Sequence, residues 1–262
     1  FAMKDESGSP KWVLLISINP GGPQVGSATH YFIGDFDGTS FTSQDTVTRW
    51  IDHGADNYAG VTWSGIPSTD GRRLFLGWMS NWQYAQVVPT GVWRSAMTLP
   101  REITLVNHQG RYELAVAPVR EVAGLSGEPA TAVGSAKLSG ELNRIEFRPE
   151  GKPFNLILSN KNGEQLVAGF ADGAIYIDRT IAGRNDFHAG FAAIHRMPVG
   201  EGKPSLITIY MDRSSIELFT DSGEVMTDLV FPTSPYETVK LEMQGEGSIT
   251  VTPMNEIWNK NN

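Results

Sequence analysis

Strand-length apolar runs closed by turn residues recur along the whole chain, and helical periodicity is hard to find. Trp12 to Ile18 is apolar and ends in Asn19-Pro20-Gly21-Gly22-Pro23, which can neither continue a strand nor start a helix. Tyr31 to Phe36 closes on Asp37-Gly38, a hairpin-type turn. Tyr58 to Trp63, Arg73 to Met79 and Trp93 to Leu105 repeat the theme in aromatic-rich strands. Beyond about Leu105 the texture changes. Asn107 to Leu138 is small and polar, with Gly124, Gly127, Pro129 and Gly134, and reads as a connection into a second unit. From Ser139 onward the strands lengthen and alternate cleanly. Ile207, Ile209 and Met211 point one way, and Ile216 and Leu218 resume the pattern after a tight Asp212-Arg213-Ser214-Ser215 turn. Val239, Leu241 and Met243, then Ile249 and Val251, close the chain in the same style. One apolar and one polar face is what packed antiparallel sheets require. The pattern predicts an all-β chain whose short aromatic strands suit a propeller or a sandwich.

Composition narrows the function classes. The 262 residues suffice for one large β domain or two ordinary ones. Lys plus Arg is 21 against 29 Asp plus Glu, and the net charge of −8 has the wrong sign for nucleic acid or anionic lipid. The absence of cysteine removes disulfides, thiolate metal sites and cysteine nucleophiles together. No apolar run approaches the ~20 residues of a membrane helix, and the first residues show no signal-peptide pattern. Of the 7 tryptophans only Trp258 lies beyond Trp93, so flat aromatic surface is concentrated in the first unit.

Two segments carry candidate chemistry. Gly77-Trp78-Met79-Ser80-Asn81-Trp82-Gln83-Tyr84 sets two indoles four residues apart with amides between and beside them. Ring faces and fixed hydrogen-bond groups together suit a sugar, although ordinary packing would use the same residues, with Trp78 in a core and Trp82 at a rim. Asp52-His53-Gly54-Ala55-Asp56-Asn57-Tyr58 groups acids and an amide in a loop, which suits sugar hydroxyls, a cation or simple Asx turns. It does not match a calcium loop. The five histidines show no metal-ligand spacing, so neither a metal nor a cofactor is expected. There is no Gly-x-Ser-x-Gly elbow, and Asn19 to Pro23 is too proline-locked to cradle a phosphate. Asp212-Arg213-Ser214-Ser215 reads as a hairpin turn with an internal Arg–carboxylate contact.

Several of these motifs, in order, resemble glycoside hydrolase family 32. They are Gly34-Asp35-Phe36-Asp37-Gly38, Asp52 through Ala59, Arg73 through Tyr84, and Val88-Pro89-Thr90 through Trp93 to Glu102. Asp178-Arg179-Thr180, Phe191 to Arg196 and Asp212 to Phe219 resemble that family's C-terminal sandwich. The likeness is greatest to the bacterial levanase, exo-inulinase and invertase branch. It implies the C-terminal part of a five-bladed β-propeller followed by a β-sandwich, from a retaining hydrolase of terminal β-fructofuranosides. Residues 1–106 would be the partial propeller, 107–137 the connection and first part of the second domain, and 138–262 the sandwich.

The family's Asn-Asp-Pro, Arg-Asp-Pro and Glu-Cys motifs, which supply nucleophile, transition-state stabiliser and acid/base, are not in this sequence. In the family they precede the strand that Trp12 to Ile18 resembles, so the resemblance places them upstream of Phe1 and implies no catalytic residue here. The chain alone is expected to be inactive and to need the missing N-terminal half of the propeller. Trp78 is carried over first, as an aromatic wall of the terminal-fructose subsite. Asp52 matches an acid that faces that pocket, and Trp82, Asn19 and Tyr58 follow as weaker candidates. Ala55 stands where some relatives have Lys, which leaves the preference among sucrose, inulin and levan unassigned. An extracellular or periplasmic setting follows from the resemblance, and self-association from the exposed edges of a partial propeller. The alternative reading is a non-catalytic fructan-binding or structural β-sandwich module.

Overall fold

A computed structural model describes residues 1–199 and 203–257, so Trp258 lies outside the described residues. The first sheet is an antiparallel meander of β1 (Ala2–Lys4), β2 (Pro10–Ile18), β3 (Ala28–Phe36) and β4 (Phe41–Ser43), with β5 (Arg49–Trp50) also pairing β3. The second contains β6 (Tyr58–Thr62), β7 (Arg73–Met79), β8 (Ala96–Met97), β9 (Arg101–His108) and β10 (Arg111–Pro118), with β10-β9-β7-β6 as its order and β8 beside β7. Each is a small up-and-down sheet of the kind that forms a propeller blade.

Twelve further strands build the sandwich: β11 (Ala130–Val133), β12 (Ser135–Lys137), β13 (Asn143–Phe147), β14 (Phe154–Ser159), β15 (Gln165–Ala171), β16 (Ala174–Ile181), β17 (Ile194–Pro198), β18 (Ile207–Asp212), β19 (Ser215–Thr220), β20 (Val225–Leu229), β21 (Thr238–Met243) and β22 (Ser248–Pro253). One six-stranded sheet has the order β11-β22-β13-β18-β19-β20 and the other β12-β21-β14-β15-β16-β17. The alternating residues face inward as the pattern predicts, with Ile207, Ile209, Ile216, Leu218, Val239 and Ile249 all fully buried. An all-β fold of propeller part plus sandwich is therefore correct.

Three details differ from the sequence reading. The boundary near 106 falls inside a hairpin, because β9 and β10 pair in register from Arg101↔Pro118 to His108↔Arg111. Gln109 and Gly110 both have positive φ, at 54° and 95°, the geometry of a tight two-residue turn that the Gln disguised. The blade thus runs to Pro118, and the connection is the short 3-10 helix Arg120–Leu125 and its flanks. Trp93 to Leu105 is not one strand but β8 and β9, interrupted at Pro100. Asp212 to Ser215 is the expected hairpin turn, yet the Arg213 guanidinium reaches outward to Glu141 (2.7 Å) and Glu256 (3.0 Å) rather than to Asp212.

The two blades share one core face. Val13, Tyr31 and Ile33 of the first meet Phe75, Ile103, Leu105 and Val116 of the second, and Phe219 and Val225 of the sandwich close the cluster. The opposite face of each blade is also apolar. Cross-strand pairing sets Leu14 beside Phe32 in the first and Val61 beside Leu76 in the second, and Leu14 and Val61 are exposed.

Surface ion pairs make stability acid-sensitive. Hydrogen bonds from Arg49 pull Asp45 down to about 2, and those from Arg72 do the same to Asp70 and Glu121. A folded-state value below the unfolded one gives stability above the ordinary carboxylate range that is lost as pH falls through the folded value. The melting temperature should therefore drop between about pH 4 and about pH 2. Arg72→Gln should flatten part of that drop in a thermal-shift series, and an unchanged profile would refute the assignment.

Candidate functional site

Loop 52–57, between β5 and β6, lies along β20, the edge strand of one sandwich sheet. His53 N donates to Val225 O (2.8 Å) and Asp56 N to Thr227 O (3.0 Å), so the loop pairs with the strand edge and covers it. Gly54 permits the approach, because a Cβ there would sit 2.1 Å from the Thr227 carbonyl oxygen. Asp52 is part of this joint. Its Oδ1 accepts from Gly54 N (2.8 Å) and Thr227 N (2.9 Å), and its Oδ2 from Arg101 Nη1 (2.7 Å), Thr227 Oγ1 (2.6 Å) and Asn57 Nδ2 (3.2 Å). Arg101 forks onward to Glu217 Oε2 (2.6 Å), fully buried. Burial holds Glu217 above the usual carboxylate range in spite of Arg101. The expectation that Asp52 faces a pocket is thus corrected. At 2 % exposure, with both oxygens occupied by the protein, it is a strut between blade and sandwich.

A second buried arginine secures the other end of the loop. Arg179 of β16 meets Asp56 Oδ2 at 2.8 Å and donates to Tyr84 Oη (3.0 Å), Phe191 O (2.7 Å) and Leu229 O (3.0 Å). Tyr84 in turn donates to Asp56 Oδ1 (2.7 Å), and Leu229 N donates to Asp56 Oδ2 (2.8 Å). His195 Nδ1 lies 2.8 Å from Asp228 Oδ1, which also accepts from Ala55 N (2.9 Å).

This anchored loop delivers Tyr58 to an aromatic strip. Tyr58 pairs with Trp78 across β6 and β7, with ring centroids 6.1 Å apart, and Trp78 lies 5.1 Å from Trp82. Trp82 is about half exposed, and Trp78 and Tyr58 are partly so. Exposed Asn19 is tied in through Ser27, whose Oγ donates to Asn19 Oδ1 (3.4 Å) and accepts from Trp82 N (3.0 Å). Of the predicted residues, Trp78, Trp82, Tyr58 and Asn19 therefore converge on one rim, and Asp52 stands behind them.

Asn81 is a positioning residue rather than a sugar partner. Fully buried, it accepts from Ser27 N and Gln83 N and donates to Val25 O and Ala55 O, which locks three segments around Trp82. Among the described residues Asn57 Oδ1 is buried without a partner, directly behind Tyr58 in sequence. No group of three or more His, Asp or Glu among the described residues could hold a metal.

The glycosyl hydrolases family 32 N-terminal domain model matches residues 1–118, and the family 32 C-terminal model matches residues 119–259. The chain belongs to glycosyl hydrolase family 32. The two family 32 matches meet at the end of β10, where the second blade ends. The levanase of Bacillus subtilis is 34% identical over 95% of this family 32 chain and 40% of its own length. The extracellular exo-inulinase of Aspergillus niger is 33% identical over 97% of the chain and 53% of its own. The crystal structure of exo-inulinase from Aspergillus awamori superposes with a TM-score of 0.87 at 29% identity, covering 98% of this chain and 56% of that one. The family 32 chain thus spans about half the length of the relatives it matches.

Sequence reasoning gave no role to Arg101, Arg179 or Glu217, and it read Asp56 only as one acid of the 52–58 loop. One signal was available: Arg179 follows Ile175 and Ile177 on the inward phase of β16, and Glu217 lies between Ile216 and Leu218, positions where a charge needs a partner.

Proposed function

We propose that this chain is part of a retaining β-fructofuranosidase that releases terminal fructose from levan, inulin or sucrose, and that it supplies one wall of the fructose pocket and the accessory sandwich. The observation that carries this reading is the Tyr58–Trp78–Trp82 strip with Asn19 beside it, in a chain matched by family 32 along its length. Indole and phenol faces take the C–H side of a furanose, and the Asn19 amide takes a hydroxyl. Asp52 serves this wall indirectly, by holding Asn57 and the loop that ends at Tyr58.

The catalytic carboxylates come from outside this chain. A retaining pair needs two carboxyls about 5–5.5 Å apart facing the sugar. Here the buried carboxylates of the joint between blade and sandwich, Asp52, Asp56, Glu217 and Asp228, are each engaged by arginine or histidine. The apolar outer faces of the two blades suit the remaining blades as neighbours, and in their absence would favour self-association. An extracellular or periplasmic setting agrees with a polymeric substrate and with relatives named extracellular.

Calorimetric titration with fructose and levan tests the wall, and fructose release from sucrose and levan tests the catalytic assignment. Trp78→Ala is expected to weaken fructose binding about tenfold, about 1.4 kcal/mol, with no fructose released by either protein. Unchanged binding in the variant would remove Trp78 from the wall. Release by the chain alone would place the carboxylates within it.

A further inference from the structure

The outer face of the second sandwich sheet carries a row of directly paired residues across four strands: Arg196 of β17, Tyr176 of β16, Gly169 of β15 and Asn155 of β14. Gly169 has no side chain to lift the neighbouring ring away. A Cβ there would sit 2.4 to 2.6 Å from Tyr176 ring atoms and hydroxyl, so the ring crosses β15 close against the sheet. Its hydroxyl donates to Asn155 Oδ1 at 2.5 Å, and the Arg196 guanidinium lies over the ring, 5.3 Å from its centroid. The hydroxyl bond fixes the far end of the ring, so ordering it costs a ligand little.

We propose that this row is a distal subsite for the body of a fructan chain. An aromatic face takes the C–H surface of a furanose, and the Asn155 amide nitrogen and Arg196 guanidinium offer donors for its hydroxyls. Exposed Ile194, two residues from Arg196 on the same face, extends the apolar part. The row continues to Glu242, paired with Asn155 and bonded to Lys240 Nζ at 2.7 Å, so an acid offsets the cations beside the row.

The row is joined to the loop behind the fructose wall through Gln24, and the proposal rests on that wall for the other end of the chain. Gln24 Nε2 donates to Arg196 O (2.6 Å) and to His53 O (2.9 Å), and Arg196 N donates back to Gln24 Oε1 (3.3 Å). The loop that holds Asn19 and Ser27 thus abuts β17, and Tyr176 follows one strand spacing further on, about 5 Å. On this proposal a polymer leaving Trp82 would cross this loop to Arg196 and then to its strand partner Tyr176.

Calorimetry with high-molecular-weight levan and with fructose separates the two ends. Tyr176→Ala should weaken levan binding about tenfold and leave fructose binding unchanged, with an unaltered thermal midpoint as the folding control. Tyr176→Phe should keep most levan binding, because the ring remains. Arg196→Ala, at an exposed position, provides the same reading should Tyr176→Ala unfold, with a smaller loss expected. Levan binding that is absent in the wild type, or equal in wild type, Tyr176→Ala and Arg196→Ala, overturns the subsite whatever fructose does. Loss of fructose binding in Trp78→Ala bears on the wall alone, so failure of that reading leaves the levan comparison intact.

Discussion

Arg101→Met is expected to lower stability by about 3–5 kcal/mol, because it strands two buried carboxylates without their cation. Arg101 is fully buried between Asp52 and Glu217, at 2.7 and 2.6 Å, and also donates to Thr227 Oγ1 at 2.6 Å. With the guanidinium gone, Asp52 and Glu217 would have to take up protons or admit water. Either response weakens the seam through which blade and sandwich recognise each other. Marginal stability of about 5–15 kcal/mol makes this a large fraction of the total. Urea unfolding followed by tryptophan fluorescence would show the loss, since all described tryptophans lie in the blades. Arg101→Lys should recover only part of it, as an ammonium cannot fork between two carboxylates. A shift below about 1 kcal/mol would mean that the pair contributes no more than a surface bridge.

The second large effect is expected at Gly54. Its would-be Cβ lies 2.1, 2.3 and 2.6 Å from backbone atoms of Thr227, which cannot swing aside as a side chain could. Gly54→Val must therefore push loop 52–57 off β20. The bonds from His53 N to Val225 O, Asp56 N to Thr227 O and Ala55 N to Asp228 Oδ1 would lengthen together. Each buried group left unpaired costs about 1–3 kcal/mol. The joint should fail as a unit, and unfolding should split into separate blade and sandwich transitions by calorimetry. Amide exchange at residues 53–56 and 227–229 should quicken first. A single transition at the wild-type temperature would show that the loop tolerates a side chain. Because Tyr58 follows directly, fructose affinity should fall in the same variant.

Local residue chemistry made much of this protein legible in advance. Period-two alternation at Ile207, Ile209 and Met211 and at Val239, Leu241 and Met243 assigns faces without tertiary information, because a strand has only two. The Trp78–Trp82 cluster was legible because indoles beside amides are an uncommon pairing. Turn chemistry was less transparent at Gln109-Gly110, where a residue poorly suited to positive φ stands in a tight turn and hides the partner strand.

The sequence by itself determined the all-β class, the family resemblance and the aromatic rim, since each depends on residue types at short spacing. Only the tertiary structure decided what the acids do. Asp52 and Asp56 read as acids of one loop and Glu217 only as part of a sandwich strand, and their partners Arg101 and Arg179 lie 49, 123 and 116 residues away in the chain. Burial raises Asp56 and Glu217 and commits Asp52 to a joint, effects set by desolvation and by charges brought near through folding. The row Arg196–Tyr176–Asn155 exists for the same reason: strand register, not sequence proximity, sets those side chains next to one another.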